Sequence, residues 1–173
     1  MPITYESHCT GCPYFHAAHL SSEFRSVRSA PLSKESRKAP VLLIFQAPGE
    51  IEWRTGAPIS NPKPGSAGAR LDKAFLAVGK TREDFDITNT VQCFPGKHTA
   101  TARDKPPTAA ARSHCSNWLR DDIAGGVYTR IVVFGSHAKK AVHRLGYKDD
   151  SRFHFVKHPS GGLSNAELLE AVG

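Results

Sequence analysis

The chain has 173 residues, enough for one domain with a real core, and 39% of them are hydrophobic, an ordinary share for a globular protein. Its 23 Lys and Arg outnumber 16 Asp and Glu, giving a formal net charge of +7. That excess points to an anionic partner, usually nucleic acid, with a merely basic soluble enzyme as the plainer alternative. No apolar run approaches the roughly 18 residues a membrane span requires, and Met1–Cys9 lacks the charged head and apolar stretch of a signal peptide, so the expectation is a cytoplasmic monomer.

The first signal along the chain is Cys9-Thr10-Gly11-Cys12, whose Gly-containing turn lets both sulfurs face one point. With Cys93 and Cys115 it supplies four thiols, enough for one metal centre. Disulfides are disfavoured in a cytoplasmic chain. A redox dithiol is the rival reading, but such pairs usually sit at a strand-to-helix junction, and no strand precedes this one. Residues 21–40 read as a loop or linker, where Arg25, Arg28, Lys34, Arg37 and Lys38 either meet phosphate or stay solvated.

Val41–Phe45 is an apolar run of the kind that forms a buried parallel strand. Ala47-Pro48-Gly49 turns the chain directly after it. Ligands of open α/β sheets sit outside the carboxyl ends of strands, so Gln46 to Glu52 is the expected floor of a site. A long loop rich in Gly and Pro follows. Leu71, Phe75 and Val78 recur at helical spacing and predict a helix over 67–78, ended by Gly79. Residues 86–93 alternate as a second strand, and 94–107 form a basic, proline-interrupted loop. A helix over 108–123, a strand over 130–134, a helix near 137–145 and a short strand over 153–156 come next. His158-Pro159-Ser160-Gly161-Gly162 follows at once, and Ser164 to Glu167 resembles a capping box opening a last helix.

This alternation predicts one α/β domain over 1–173: a three-layer α/β/α sandwich with a central four-stranded parallel sheet, the cysteine segment and basic linker of 1–40 packed on it. The loops after the four strands should converge on one rim.

The motifs resemble the uracil-DNA glycosylase superfamily. They are Ala47-Pro48-Gly49-x-x-Glu52, Thr55-Gly56-x-Pro58, Ala67-Gly68-x-x-Leu71-Asp72, Thr88-Asn89-x-x-x-Cys93, Cys115-x-x-Trp118-Leu119 and His158-Pro159-Ser160. The resemblance runs from Cys9 to about Ser164 and is nearest to the family 4 type, which carries an iron–sulfur cluster. It implies an enzyme that flips uracil out of DNA and hydrolyses its bond to the sugar, leaving an abasic site. Each task has a candidate. A side-chain amide pairs with uracil N3–H and O4, and Asn89 is placed for that. A donor aimed at uracil O2 stabilises the departing anion, and His158 is placed for that. By resemblance, Cys9, Cys12, Cys93 and Cys115 would hold a [4Fe–4S] cluster of structural role, with zinc as the alternative that four thiolates alone leave open.

Two departures from the family pattern bear on mechanism. The polar residue after strand one is Gln46, where family 4 members carry Glu. A Gln orients water but takes no proton, which leaves Glu52 as the remaining carboxylate of the motif. The base-stacking Phe of the family is replaced by Ile59, so stacking falls to Ile59 or to Phe94. Ala47, Pro48 and Gly49 would complete the base pocket. Lys97, Arg103 and Lys105 of the basic loop, Ser136 and His137 after strand three, and Ser160 would contact DNA. Leu163 is the candidate wedge for the gap left by the flipped base. A His that captures DNA covalently in one branch of the superfamily has no counterpart before Lys105-Pro106.

Overall fold

Val41–Phe45 (β1) has no polar residue on either side, and Leu42 to Phe45 are almost completely buried. A strand buried on both faces belongs inside a sheet. In the computed structural model, which describes residues 5–99 and 103–173, β1 pairs in parallel with Asp86–Asn89 (β2) on one side and Arg130–Phe134 (β3) on the other. Phe153–Val156 (β4) adds to the far edge of β3, giving an all-parallel sheet in the order β2-β1-β3-β4. The first four residues and residues 100–102, part of the basic loop expected to meet phosphate, lie outside the described residues.

Helices cover both faces. Ala67–Ala77 (α4) and Asn165–Val172 (α7) pack on the face carrying Leu43, Phe45, Ile87, Val132 and Phe134. Ala109–Ala124 (α5) and Ser136–Arg144 (α6) pack on Leu42, Ile44, Ile131 and Val133. Each fully buried Leu, Ile or Phe contributes about 1.5–3 kcal/mol to this arrangement. The three-layer sandwich is therefore present as expected. A separate cluster joins Cys12, Tyr14, Ala17 and Leu20 to Trp53, Val91, Phe94, Ala111 and Cys115. It binds the N-terminal segment, with the short helices Tyr5–Cys9 (α1) and Ser22–Val27 (α2), to the loops beyond β1 and β2.

Three local expectations require correction. The linker 21–40 is not all loop, since it contains α2, and Glu35 pairs antiparallel with Ile87. The second strand stops at Asn89 instead of running to Cys93, because the Gln92 carbonyl accepts the N–H of Leu32 at 2.8 Å and Thr90 and Val91 turn back to bond the Phe45 and Gln46 carbonyls. The segment after β1 is not a turn running into a long loop. It is a helix, Glu50–Thr55 (α3), opened at Gly49 and closed by Gly56 at φ +80°.

Candidate active site

The ends of the strands enclose a cavity of about 580 Å³. Gln46, Ala47, Pro48 and Gly49 form its floor. Ile59, Asn61, Ser66 and Ala67 line one wall, and Pro95, Asp104, Lys105 and Pro106 of the basic loop line another. His137, His158, Ser160 and Glu52 complete it. The loops after β1, β3 and β4 thus meet at one rim.

His158 follows β4 and stands over Gly135. A Cβ there would lie 3.3 Å from that of His158, and Gly135 has φ +90°, so glycine serves both the close approach and the left-handed backbone. The imidazole meets the Phe45 ring edge-on at a centroid distance of 6.2 Å. The backbone N–H of Ser160 donates to Nδ1 at 3.2 Å, and Ser160 Oγ lies 2.7 Å from the same nitrogen. A nitrogen that accepts carries no proton, so the proton of the neutral ring is on Nε2. Desolvation by burial lowers the His158 pKa, which favours this neutral donor form.

Asn89 ends β2 in register with Phe45. It is 2% exposed and is not among the residues lining the cavity. Its Nδ2 is a buried donor with no partner among the described residues. Such a group costs about 1–3 kcal/mol and calls for an explanation. The amide lies on the sheet face that also carries the Ile59 cluster. Ile59 itself holds φ at +48°, a left-handed conformation a β-branched residue rarely adopts. Arg82 fixes it by donating to the carbonyls of Pro58 and Ile59. Gly68 at the start of α4 makes room beneath, since a Cβ there would lie 2.7 Å from the Ile59 carbonyl.

At the floor, Glu52 is 8% exposed and already occupied. Its Oε2 accepts the Gly49 N–H at 3.1 Å and its Oε1 accepts the Asn61 N–H at 3.3 Å. It caps α3 and ties the wall to the floor. A Cβ at Gly49 would lie 2.7 Å from Glu52 Oε2 and 2.8 Å from Asp104 Oδ2, so only glycine admits two carboxylates to this turn. Glu50 points elsewhere: Lys97 and Arg54 bind it and hold its carboxyl below the usual range.

The sequence reading missed Asp104. Its signal was present, as it is the one acidic residue among 94–107, in a basic loop. It also missed Arg70 of α4, which had no signal at all. The Arg70 guanidinium donates to the Pro159 carbonyl, to the Leu163 carbonyl at 2.6 Å and to Asn165 Oδ1 at 3.0 Å, fixing the loop that carries His158.

Several expected site residues lie apart from the cavity. Phe94 is fully buried against Phe24 at 5.3 Å in the cysteine-side cluster, so it does not replace the stacking ring. Leu163 is 3% exposed and packs in the core beside Phe45, its carbonyl held by Arg70, so it is not a protruding wedge in this conformation. Lys97 is engaged with Glu50. Lys105, His137 and Ser160 line the cavity and are exposed; Arg103 and Ser136 are exposed but do not line it. Ser136 and His137 open α6, a helix start that suits a phosphate.

The four cysteines are buried and close enough to repel one another as thiolates. Burial first, and then that repulsion, raises Cys93 far above the usual thiol range; burial pushes Cys115 up to about 12. N–H groups point at their sulfurs: Tyr14 N at 3.4 Å from Cys12, Trp118 Nε1 at 3.4 Å from Cys9, and the Gln92 N–H at Cys115. Among the described residues, however, no three of His, Cys, Asp and Glu are gathered closely enough to hold a single metal ion.

A sequence model described as the Uracil DNA glycosylase superfamily matches residues 33–171. That span takes in every wall of the cavity, while Cys9 and Cys12 precede it.

Proposed function

The chain belongs to the uracil DNA glycosylase superfamily, and from that premise we propose that it excises uracil from DNA, cutting the bond between the base and deoxyribose and leaving an abasic site. The observation that carries this reading is the pair flanking Phe45: Asn89 with a buried, unpaired Nδ2, and His158 with its proton held on Nε2. Uracil presents an acceptor at O4 and an N3–H donor to an amide. Its O2 gathers charge as the bond breaks. An unpaired amide and a neutral imidazole donor match those two demands.

The base must leave the duplex to reach such a site. Ile59 would cover its face by apolar contact. Ala47, Pro48 and Gly49 would border it. The amide of Gln46 would orient the attacking water, with Glu52 holding the turn on which that water rests. Lys105 and Arg103 on one side and the start of α6 on the other would hold the flanking phosphates, as would Ser160.

The donor chemistry at Cys9, Cys12, Cys93 and Cys115 fits a [4Fe–4S] cluster. Burial raises the pKa of Cys12, Cys93 and Cys115, and a positive centre among them would let them ionise, with N–H donors to sulfur in support. One tetrahedral zinc would draw its sulfurs to within about 4 Å of each other, given Zn–S near 2.3 Å. Four thiolates would serve either metal, so the preference for the cluster rests on the resemblance to the family 4 type. When bound, the cluster would clamp the N-terminal segment to α5 and to the loop after β2, without a part in the reaction.

Gln46 favours a second reading, a module that holds uracil-containing or abasic DNA without cutting. The test is incubation with a uracil-containing oligonucleotide followed by alkaline cleavage of abasic sites. Strand scission establishes the glycosylase. No product over hours at excess protein leaves the binding module.

A further inference from the structure

We propose that Asp104 is the carboxylate that receives the proton of the attacking water, in place of the one that Gln46 lacks. This rests on the excision reading above and assigns its missing proton acceptor.

Cutting the bond between C1′ and N1 sends its electron pair to uracil N1. Water then bonds through oxygen to C1′, and one water proton must leave. The strand-end amide of Gln46 has no basic site for it. Glu52 accepts a backbone N–H on each oxygen, from Gly49 and Asn61, which spends it on tying the turn to the wall. Glu50 is neutralised by Lys97 and Arg54. Asp104 is the remaining carboxylate on the cavity wall. It accepts the backbone N–H of Glu50, which leaves other lone pairs for a donor from the cavity.

Its place is set by the backbone. Lys97 and Asp104 form an antiparallel bridge, and the Lys105 N–H donates to the Gly96 carbonyl at 2.7 Å. Its Oδ2 reaches over Gly49, the turn residue next to the floor, where a side chain would block it. A carboxylate on the cavity wall would also favour oxocarbenium charge developing on a sugar beside it. Partial desolvation raises its pKa, with Lys97 opposing, and this makes it a better proton acceptor than a free Asp. The acceptor would thus have moved from the strand to the basic loop, so that the loop gripping the phosphates also delivers the base.

The test is single-turnover cleavage of a uracil-containing duplex by the full chain and by Asp104→Asn, which keeps an oxygen for the Glu50 N–H. Binding is measured on a duplex whose uridine carries a 2′-fluorine, which disfavours the oxocarbenium ion and so resists cutting. The expected result is a cleavage rate lower by about a hundredfold, with the Kd for the fluorinated duplex and the thermal midpoint unchanged. Formate added to Asp104→Ala should restore part of the rate, which no structural role would produce. An active wild type with an equally active Asp104→Asn would overturn the proposal while leaving excision intact. A loss of rate matched by an equal loss of affinity would also overturn it, making Asp104 a binding residue. A wild type that cuts nothing overturns both it and the function on which it rests.

Discussion

Ser160 donates its backbone N–H to Nδ1 of His158 and so decides which imidazole nitrogen carries the proton. The same buried placement lowers the His158 pKa, and burial lowers that of His19 as well. Both histidines take up a proton in the unfolded chain at about pH 6.5, but in the folded one only at lower pH. Their contribution to stability is complete above about pH 6.5 and is lost as pH falls from there through the lowered folded values. Chemical denaturation between pH 8 and 5 should show stability declining in that window. His158→Gln and His19→Gln should each flatten the decline, and a slope unchanged in both variants would refute this assignment.

Asn89 should show stability and activity moving in opposite directions. Asn89→Leu removes a buried, unpaired donor of similar size, so the folded state should gain about 1 kcal/mol. Uracil excision should fall by at least about a hundredfold, because the pocket loses the groups that read the base. A variant that is less stable and still active would mean that the amide has a structural partner and no role in recognition.

Gln46 and Glu52 are separable by their bonds. Gln46→Glu places a carboxylate on the cavity floor and should raise the single-turnover rate about tenfold. Glu52→Gln sets an NH2 against one of two backbone N–H groups and should cost about 1–2 kcal/mol of stability, with little effect on the rate at temperatures where the variant is folded. Should Glu52→Gln instead abolish cutting at unchanged thermal midpoint, Glu52 itself handles the water.

The cysteines predict a visible chromophore. Protein purified without oxygen should be brown and hold about four iron atoms per chain. Cys93→Ser should lose colour and iron and loosen residues 5–20, as measured by proteolysis or hydrogen exchange. A colourless protein carrying one zinc would replace the cluster with the simpler metal.

The sheet was legible from the sequence because its signals are local. Val41–Phe45, Arg130–Phe134 and Phe153–Val156 are short apolar runs with clear turns after them, and they form strands at those bounds. α3 was missed because Glu50–Thr55 spans fewer than two turns, too short for periodicity to show, and it is set by a cap from Glu52 and the buried Trp53. The candidate cavity was legible where its residues cluster in one motif, as at His158-Pro159-Ser160, whose His158 and Ser160 line it. It was illegible where partners are far apart in the chain. Asp104 reaches Gly49, and Arg70 reaches Pro159 and Leu163, across separations that no local pattern records. Phe94 and Leu163 were misjudged for the reverse reason: their neighbours fit a surface role, but the packing took them inward.

Two of the three acceptors that Arg70 holds are main-chain carbonyls of the loop after β4. Carbonyls are the same whatever side chains flank them. The hold of Arg70 is therefore indifferent to side chains at the exposed Ser160 and Gly161, whereas Gly162, at φ +90°, is kept as glycine by its backbone. Descendants of this chain thus have two positions next to His158 where new side chains can be tried, while the Arg70 anchor is inherited unchanged.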